Sequence, residues 1–329
     1  QGRDHAAQMT RVAVVDLGTN STRLLVADVG NGAVHELDRR LEITRLGEGV
    51  DARRQLLPQG IARVRNVLGA YRRRAEELGA ERTLAFATSA VRDADNGEAF
   101  LGEIEWSYGF ETQLLSGHDE ALLMFRGVTS ESTLDGGTVI VDIGGGSTEL
   151  VAAEPDGVRW HDSLDIGSVR LTERLLPTDP PTAAELDACA AAVRALLAER
   201  VPDEIRSSIH AAVGVAGTIT SIAALALGLQ EYDRERVHGS TLSSVALDEQ
   251  LQRLASVPLA KRRELRPLDP DRAPVIVAGA VIAREALSFF GADALQVSER
   301  DILDGAALAA AELPEAEEGA APPGAYTCC

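Results

Sequence analysis

Two similar α/β domains are what the sequence predicts, on three observations. Val and Ile cluster in short runs, whereas Ala and Leu dominate longer stretches, the division expected of buried strands alternating with helices. At 329 residues the chain exceeds what one core usually supports, a limit of roughly 250–300 residues. A pattern of strand, glycine-bearing turn and strand opens the chain and starts again at Thr138.

The apolar run RVAVVD (residues 11–16) reads as a buried strand, GTNS (18–21) as a turn and residues 23–29 as the returning strand. Residues 34–41 alternate apolar and polar side chains, as a half-buried strand does, and complete a meander. Gly47 and Gly49 mark residues 43–51 as a loop. Pro58, whose fixed φ suits a first helical turn, opens a long helix that runs through Leu78 and stops at Gly79. Residues 83–87 form a strand, a short helix follows Thr88, and residues 110–115 and 117–127 form a strand and a helix. The polar, Gly-rich stretch 129–137 is the expected domain boundary. Beyond it TVIVD (138–142) is a buried strand, GGGS (144–147) a turn, and residues 148–153 and 158–164 are further strands. Helices are expected at 183–199, 218–227, 272–290 and 301–311, with one more strand at 213–216. From Glu312 onward Pro, Glu, Gly and Ala take over, and residues 312–329 read as a disordered tail. Residues 1–10 read as a disordered N-terminus, with Met9 as the expected native start.

Hydrophobic residues make up 45% of the chain but aromatics only 4%, so Ala, Val, Leu and Ile must build the cores. The formal charge of −19 argues against DNA and membrane partners, because such a chain repels nucleic acid and anionic lipid. An anionic substrate then needs a local device: main-chain N–H groups, a few arginines or a metal ion. Lys261 is the only lysine, a bias that a GC-rich genome explains. Cys189, Cys328 and Cys329 form no C-x-x-C pair, so neither a zinc site nor a disulfide framework is indicated and a cytoplasmic location is expected. No apolar run reaches the roughly 18–20 residues of a membrane span. Residues 1–8 lack the apolar centre of a signal peptide.

Displacing the chain by 126 positions lays Asp16 on Asp142, Gly18 on Gly144, Ser21 on Ser147, Thr22 on Thr148 and Leu24 on Leu150. Identities this dense at one offset, each set lying between two apolar runs, identify an internal duplication. A tight glycine-bearing strand–turn–strand lets consecutive N–H groups point into one concavity, and such a nest binds phosphate oxygens without net positive charge. Gly18, Thr19, Asn20 and Ser21 form the first candidate nest; Gly144, Gly145, Gly146, Ser147 and Thr148 form the second. The serine hydroxyls add donors to the same oxygens. Asp16 and Asp142, at the strand ends, are placed to hold Mg²⁺ directly or through water. An ordinary hairpin, with the Asp closing an Asx-turn, is the competing account of each turn taken alone.

With these residues in place the sequence resembles a known group. DLGTNSTRLLVADV (16–29) and VDIGGGSTELV (141–151) resemble the two phosphate motifs of the actin/hexokinase/Hsp70 superfamily. ATSAVRDA (87–94), LLSGHDEALLMFRGV (114–128), GVAGTITSIAA (214–224), APVIVAGAVIAREAL (273–287) and VSERDILDGAAL (297–308) complete a set similar to the exopolyphosphatase/guanosine pentaphosphate phosphohydrolase (Ppx/GppA) family. The resemblance spans residues 11–311, and DIGGGSTE preceded by SG-x-x-EA sets it apart from sugar kinases. It implies an α/β fold of two ribonuclease H-like domains with an interdomain cleft, residues 11–128 and 129–311, the last helix being able to pack back on the first domain. It also implies metal-dependent hydrolysis of the terminal phosphoanhydride bond of inorganic polyphosphate, with Mg²⁺ or Mn²⁺ as cofactor. Hydrolysis of the 5′ phosphate of pppGpp is the alternative, and binding of pppGpp, ppGpp or polyphosphate without turnover is another. A small-molecule kinase is disfavoured by SG-x-x-EA. Longer family members continue into a helical region resembling HD-type phosphohydrolases, so this shorter chain is expected to favour shorter polymers. Homodimers are common in the family, though no feature of the sequence demonstrates one.

The resemblance assigns Glu120, of SG-x-x-EA, as the general base that activates water. Phosphoanhydride hydrolysis needs a positioned water, a metal ion and donors on the transferred phosphoryl oxygens. Nearby phosphates should raise the pKa of Glu120, which suits a base, although a Glu at a helix start also serves the macrodipole. Ser116 and Asp119 have the spacing of a capping box. By resemblance Glu149 orients the water or joins Asp16 and Asp142 around the metal. Arg92 contacts phosphate through its planar fork or makes a surface ion pair. Gly214, Gly217 and Thr218 match the place where nucleotide-binding relatives hold adenosine, but a strand-to-helix turn needs small residues there as well.

Overall fold

The computed structural model describes residues 9–313; the expectations for residues 1–8 and 314–329 lie outside the described residues. The chain divides into two compact units, one of residues 9–132 and 302–313, the other of residues 133–301.

In the first unit β1 (Thr10–Leu17), β2 (Ser21–Gly30) and β3 (Ala33–Ile43) form an antiparallel meander. There follow α1 (Val50–Arg53), α2 (Pro58–Glu77), β4 (Arg82–Ala87), α3 (Ser89–Arg92), α4 (Gly97–Tyr108), β5 (Glu111–Leu114) and α5 (Gly117–Val128). β4 pairs with β1 and β5 with β4, both in parallel, so the sheet order is β3-β2-β1-β4-β5. β1 has no polar face because both sides of the sheet are covered. Ala13, Val15 and Leu17 join a core with Val64, Leu68 and Tyr71 of α2, while Val12 and Val14 join one with Leu303, Ala306 and Ala307. α2 begins at Pro58 and turns the stripe Gly60, Val64, Leu68, Tyr71 and Ala75 inward. The buried Tyr71 hydroxyl donates to the Thr22 carbonyl at 3.0 Å, docking the helix on the strand that leaves the first turn.

The second unit repeats the plan. β6 (Thr138–Ile143), β7 (Thr148–Glu154) and β8 (Gly157–Leu164) form its meander. α6 (Ser168–Leu175), α7 (Ala183–Arg200), α8 (Asp203–Ser208), β9 (Ala211–Val215), α9 (Ala216–Ala226) and α10 (Arg234–Val237) follow. β10 (Thr241–Ser243), α11 (Ser244–Ala255), α12 (Leu259–Arg262), α13 (Ile276–Phe290) and β11 (Ala294–Val297) complete it. The sheet order is β10-β11-β9-β6-β7-β8, with β9 parallel to β6 and β11 parallel to β9. Strands 8-7-6-9-11 thus restate 3-2-1-4-5, and β10 adds an antiparallel edge. Even the irregularities recur: the register shifts between Val26 and Ala27 on β2 and between Ala152 and Ala153 on β7, one repeat apart. Both units carry the ribonuclease H-like strand order.

The last helix, α14 (Ile302–Glu312), belongs to the first unit. A Cβ on Gly305 would lie 1.8 Å from the Leu123 carbonyl oxygen, so α14 crosses α5 backbone against backbone. Buried Asp304 accepts from Arg39 Nη2 at 2.7 Å, and Arg126 on α5 pairs with Glu312 at 2.7 Å. The helix expected from residue 272 begins at Ile276, because residues 271–275 form turns instead. Helices α4, α6 and α11 and strands β10 and β11 lie where the sequence reading names no element.

Candidate active site

In the first unit, α5 opens with a capping box. Ser116 Oγ accepts from the Asp119 N–H at 3.2 Å, and the Asp119 carboxylate accepts from the Ser116 N–H at 3.2 Å. The cap fixes the first turn of α5 and with it Glu120, whose side chain is buried. Arg92, the last residue of α3, donates through Nη1 to Glu120 Oε1 at 2.5 Å and to the Leu115 carbonyl at 2.9 Å. The residue assigned to phosphate and the residue assigned as base therefore meet each other. At the other end of α3, Ser89 Oγ lies 2.9 Å from Thr19 Oγ1, a buried contact that joins the same short helix to the first turn.

That turn is closed by the Gly18 N–H donating to the Ser21 carbonyl at 3.0 Å, where a Cβ on Gly18 would stand 2.9 Å from the same oxygen. From behind, the Gly47 N–H donates to the Thr19 carbonyl at 2.8 Å, and the Thr44 and Arg45 N–H groups donate to the Asn20 carbonyl at 3.1 and 2.9 Å. The buried Asn20 side-chain nitrogen has no hydrogen-bond partner among the described residues. A buried donor of this kind calls for an acceptor from outside the protein. Asp16 faces Arg23 across the β1–β2 register, and Arg23 places Nε and Nη2 on Asp16 Oδ2 at 2.8 and 2.7 Å.

In the second unit the turn closes in the same way, the Gly144 N–H donating to the Ser147 carbonyl at 3.0 Å. Its carbonyls are taken by the start of α6. The Ser168 N–H and hydroxyl donate to the Gly144 carbonyl at 2.9 and 3.2 Å. The Val169 and Arg170 N–H groups donate to the Gly145 carbonyl at 2.8 and 3.1 Å, and Arg170 Nε donates to the Gly146 carbonyl at 2.8 Å. The Thr148 hydroxyl donates its hydrogen to the Ile166 carbonyl at 2.6 Å, so it has none left for a phosphate oxygen. Thr218, at the start of α9, donates to the Ile143 carbonyl at 3.0 Å and braces the strand end before the turn. Gly167, Ser168 and Arg170 escaped the sequence reading; the available signal was a glycine directly before a short amphipathic helix.

The duplication is broken at one informative position. Where the first unit has Arg23 opposite Asp16, the second has Glu149 opposite Asp142. Directly opposed residues on antiparallel strands share a face, and like charges there repel. Asp142 and Glu149 are nevertheless both buried, at 8% and 4% exposure, and Glu149 Oε1 accepts from Ser163 Oγ at 2.8 Å. Two hard oxygen donors of this kind suit Mg²⁺ or Mn²⁺ and not a soft, thiolate-seeking ion. Among the described residues no group of three or more His, Cys, Asp or Glu converges as a metal cage. Mg²⁺ fits such a site, since it is commonly held by one or two carboxylates with waters and substrate phosphates supplying the rest.

The chain is similar to known proteins over most of its length. Residues 25–311 match the Ppx/GppA phosphatase family. The chain is 41% identical over 321 residues to Exopolyphosphatase 2 of Mycobacterium tuberculosis, covering 92% of this chain and 99% of that one. Among solved structures it is similar to an exopolyphosphatase-like protein, with a TM-score of 0.85 at 35% identity over 91% of this chain and 98% of that one. The Aquifex aeolicus member of the Ppx/GppA family gives a TM-score of 0.78 at 31% identity, over 92% and 97% of the two chains.

Proposed function

The chain belongs to the Ppx/GppA phosphatase family, and on that premise we propose that it is an exopolyphosphatase, a phosphoanhydride hydrolase that removes the terminal phosphate of inorganic polyphosphate as orthophosphate. The observation that carries the reading is a buried carboxylate, Glu120, held by Arg92 on a helix whose other end contacts the first phosphate turn through Ser89 and Thr19. Glu120 takes a proton from water as the water oxygen attacks the terminal phosphorus. The bridging P–O bond breaks, orthophosphate departs, and the shortened polymer keeps the bridging oxygen. In each unit the main-chain N–H groups of the turn, with Ser21 and the Asn20 amide in the first and Ser147 in the second, supply donors for phosphate oxygens. This lets a chain of formal charge −19 hold a polyanion without a basic surface. Arg92 holds the Glu120 carboxylate in place through a charge-assisted hydrogen bond.

Asp142 and Glu149 would hold a divalent cation, Mg²⁺ or Mn²⁺, which when bound would neutralise charge on phosphate. Asp16 would be a lesser ligand, because Arg23 already occupies its Oδ2. The test is kcat/KM for orthophosphate release from short polyphosphate and from pppGpp, side by side in Mg²⁺. Polyphosphate is expected to be preferred; a preference for the nucleotide above about tenfold would move the assignment to pentaphosphate hydrolysis.

A further inference from the structure

We infer that Arg170 is a positioning residue for the second phosphate turn, aiming its main-chain donors by holding a carbonyl from behind. The inference rests on the exopolyphosphatase reading for its kinetic part, and on geometry alone for the rest.

The peptide bond is planar and trans, so the C=O of one residue and the N–H of the next point in opposite directions. A partner that fixes a carbonyl therefore also fixes where the following N–H points. Three successive peptides of the turn are fixed in this way. The Gly144 carbonyl is held by Ser168, the Gly145 carbonyl by the N–H groups of Val169 and Arg170, and the Gly146 carbonyl by Arg170 Nε. The N–H groups of Gly145, Gly146 and Ser147 are thereby turned away from α6, and no acceptor among the described residues takes them.

The third of these peptides is the distinctive one. Helix N–H groups hold the first two, whereas a side chain holds the last, and that side chain is only 10% exposed. Without it the Gly146–Ser147 peptide has no anchor. Glycine backbone is conformationally permissive and can rotate the Ser147 N–H out of the nest. A cationic donor on the carbonyl also polarises the peptide and strengthens the N–H as a donor. Gly167 completes the device: a Cβ there would lie 2.3 Å from the Gly145 oxygen, so α6 reaches the turn only because residue 167 has no side chain.

The test compares Arg170→Met, which keeps the apolar stem, with Arg170→Lys, which restores a cationic donor. Amide hydrogen exchange at residues 145–147, with orthophosphate supplied at saturation as the acceptor, and kcat/KM on short polyphosphate are both measured. In Arg170→Met, exchange is expected to quicken by about tenfold and kcat/KM to fall by about 10–100-fold. In Arg170→Lys, both should lie nearer the wild type than the Met variant. The inference is overturned by unchanged exchange in the Met variant, by faster exchange with kcat/KM within about twofold of wild type, or by a Lys variant no better than Met. Wild-type protein that releases no orthophosphate from polyphosphate would defeat the exopolyphosphatase reading while leaving the exchange result to decide the positioning role.

Discussion

Asp142 and Glu149 are two buried acids in register on neighbouring strands, where the first unit has Asp16 opposite Arg23. Replacing Asp142 by Asn, which keeps its shape, should change the melting temperature little while lowering kcat by about 100-fold or more and weakening the dependence on Mg²⁺. Thermal unfolding and a Mg²⁺ titration of the rate check the two halves; equal loss of stability and activity would assign the pair to folding instead. Glu120→Gln keeps the hydrogen-bonding shape but not the basicity, and kcat should drop about 10²–10⁴-fold with polyphosphate binding preserved. A rate within about tenfold of wild type would remove Glu120 from the role of base. At this scale the sequence announced the turns, since glycines and serines repeat at one offset. It did not announce that Arg23 and Glu149 stand in the same place, because the duplication is read from identities and this position differs. Nor did it announce the Arg92–Glu120 contact, which joins residues far apart in the chain.

Between elements, the crossing of α14 over α5 sets how firmly the Glu120 helix is seated. Gly305→Ala must push the two backbones apart and should cost about 1–3 kcal/mol by denaturant unfolding, as overpacking does. Gly102→Ala on α4, where a Cβ meets nothing within 4 Å, should instead be neutral or stabilising by about 0.5–1 kcal/mol. Tyr71→Phe leaves a buried carbonyl at Thr22 without its phenolic donor and should cost about 1–2 kcal/mol. Most long elements were legible because their signals are local: an apolar run for β1 and β6, Pro58 and Gly79 bracketing α2. Others carried signals that went unread. α11 has Ser243 as its cap and Leu247, Leu251 and Leu254 at helical spacing, and α4 buries Phe100, Leu101 and Ile104. β11 has only four residues and pairs in parallel with β9, an arrangement that no local pattern specifies.

For the molecule as a whole, duplication is the organising fact: the same meander, bulge and clasped turn occur twice, and the divergence between copies falls where chemistry is expected. Acid stability offers a check on one structural pair. The Arg11 hydrogen bond holds the Asp28 carboxyl below its ordinary value of 3.8. The unfolded chain then takes up the proton first, so the contribution of Asp28 is full above that value and lost as pH falls through the folded one. The melting-temperature gap between wild type and Asp28→Asn should accordingly be constant at neutral pH and shrink below about pH 4. The account stands most directly on the reaction itself. Incubating the protein with polyphosphate of one defined length in Mg²⁺, without any acceptor, and resolving the products with time should yield orthophosphate and a ladder of chains, each one phosphate shorter. Internal fragments, or no release until an acceptor alcohol is added, would contradict it.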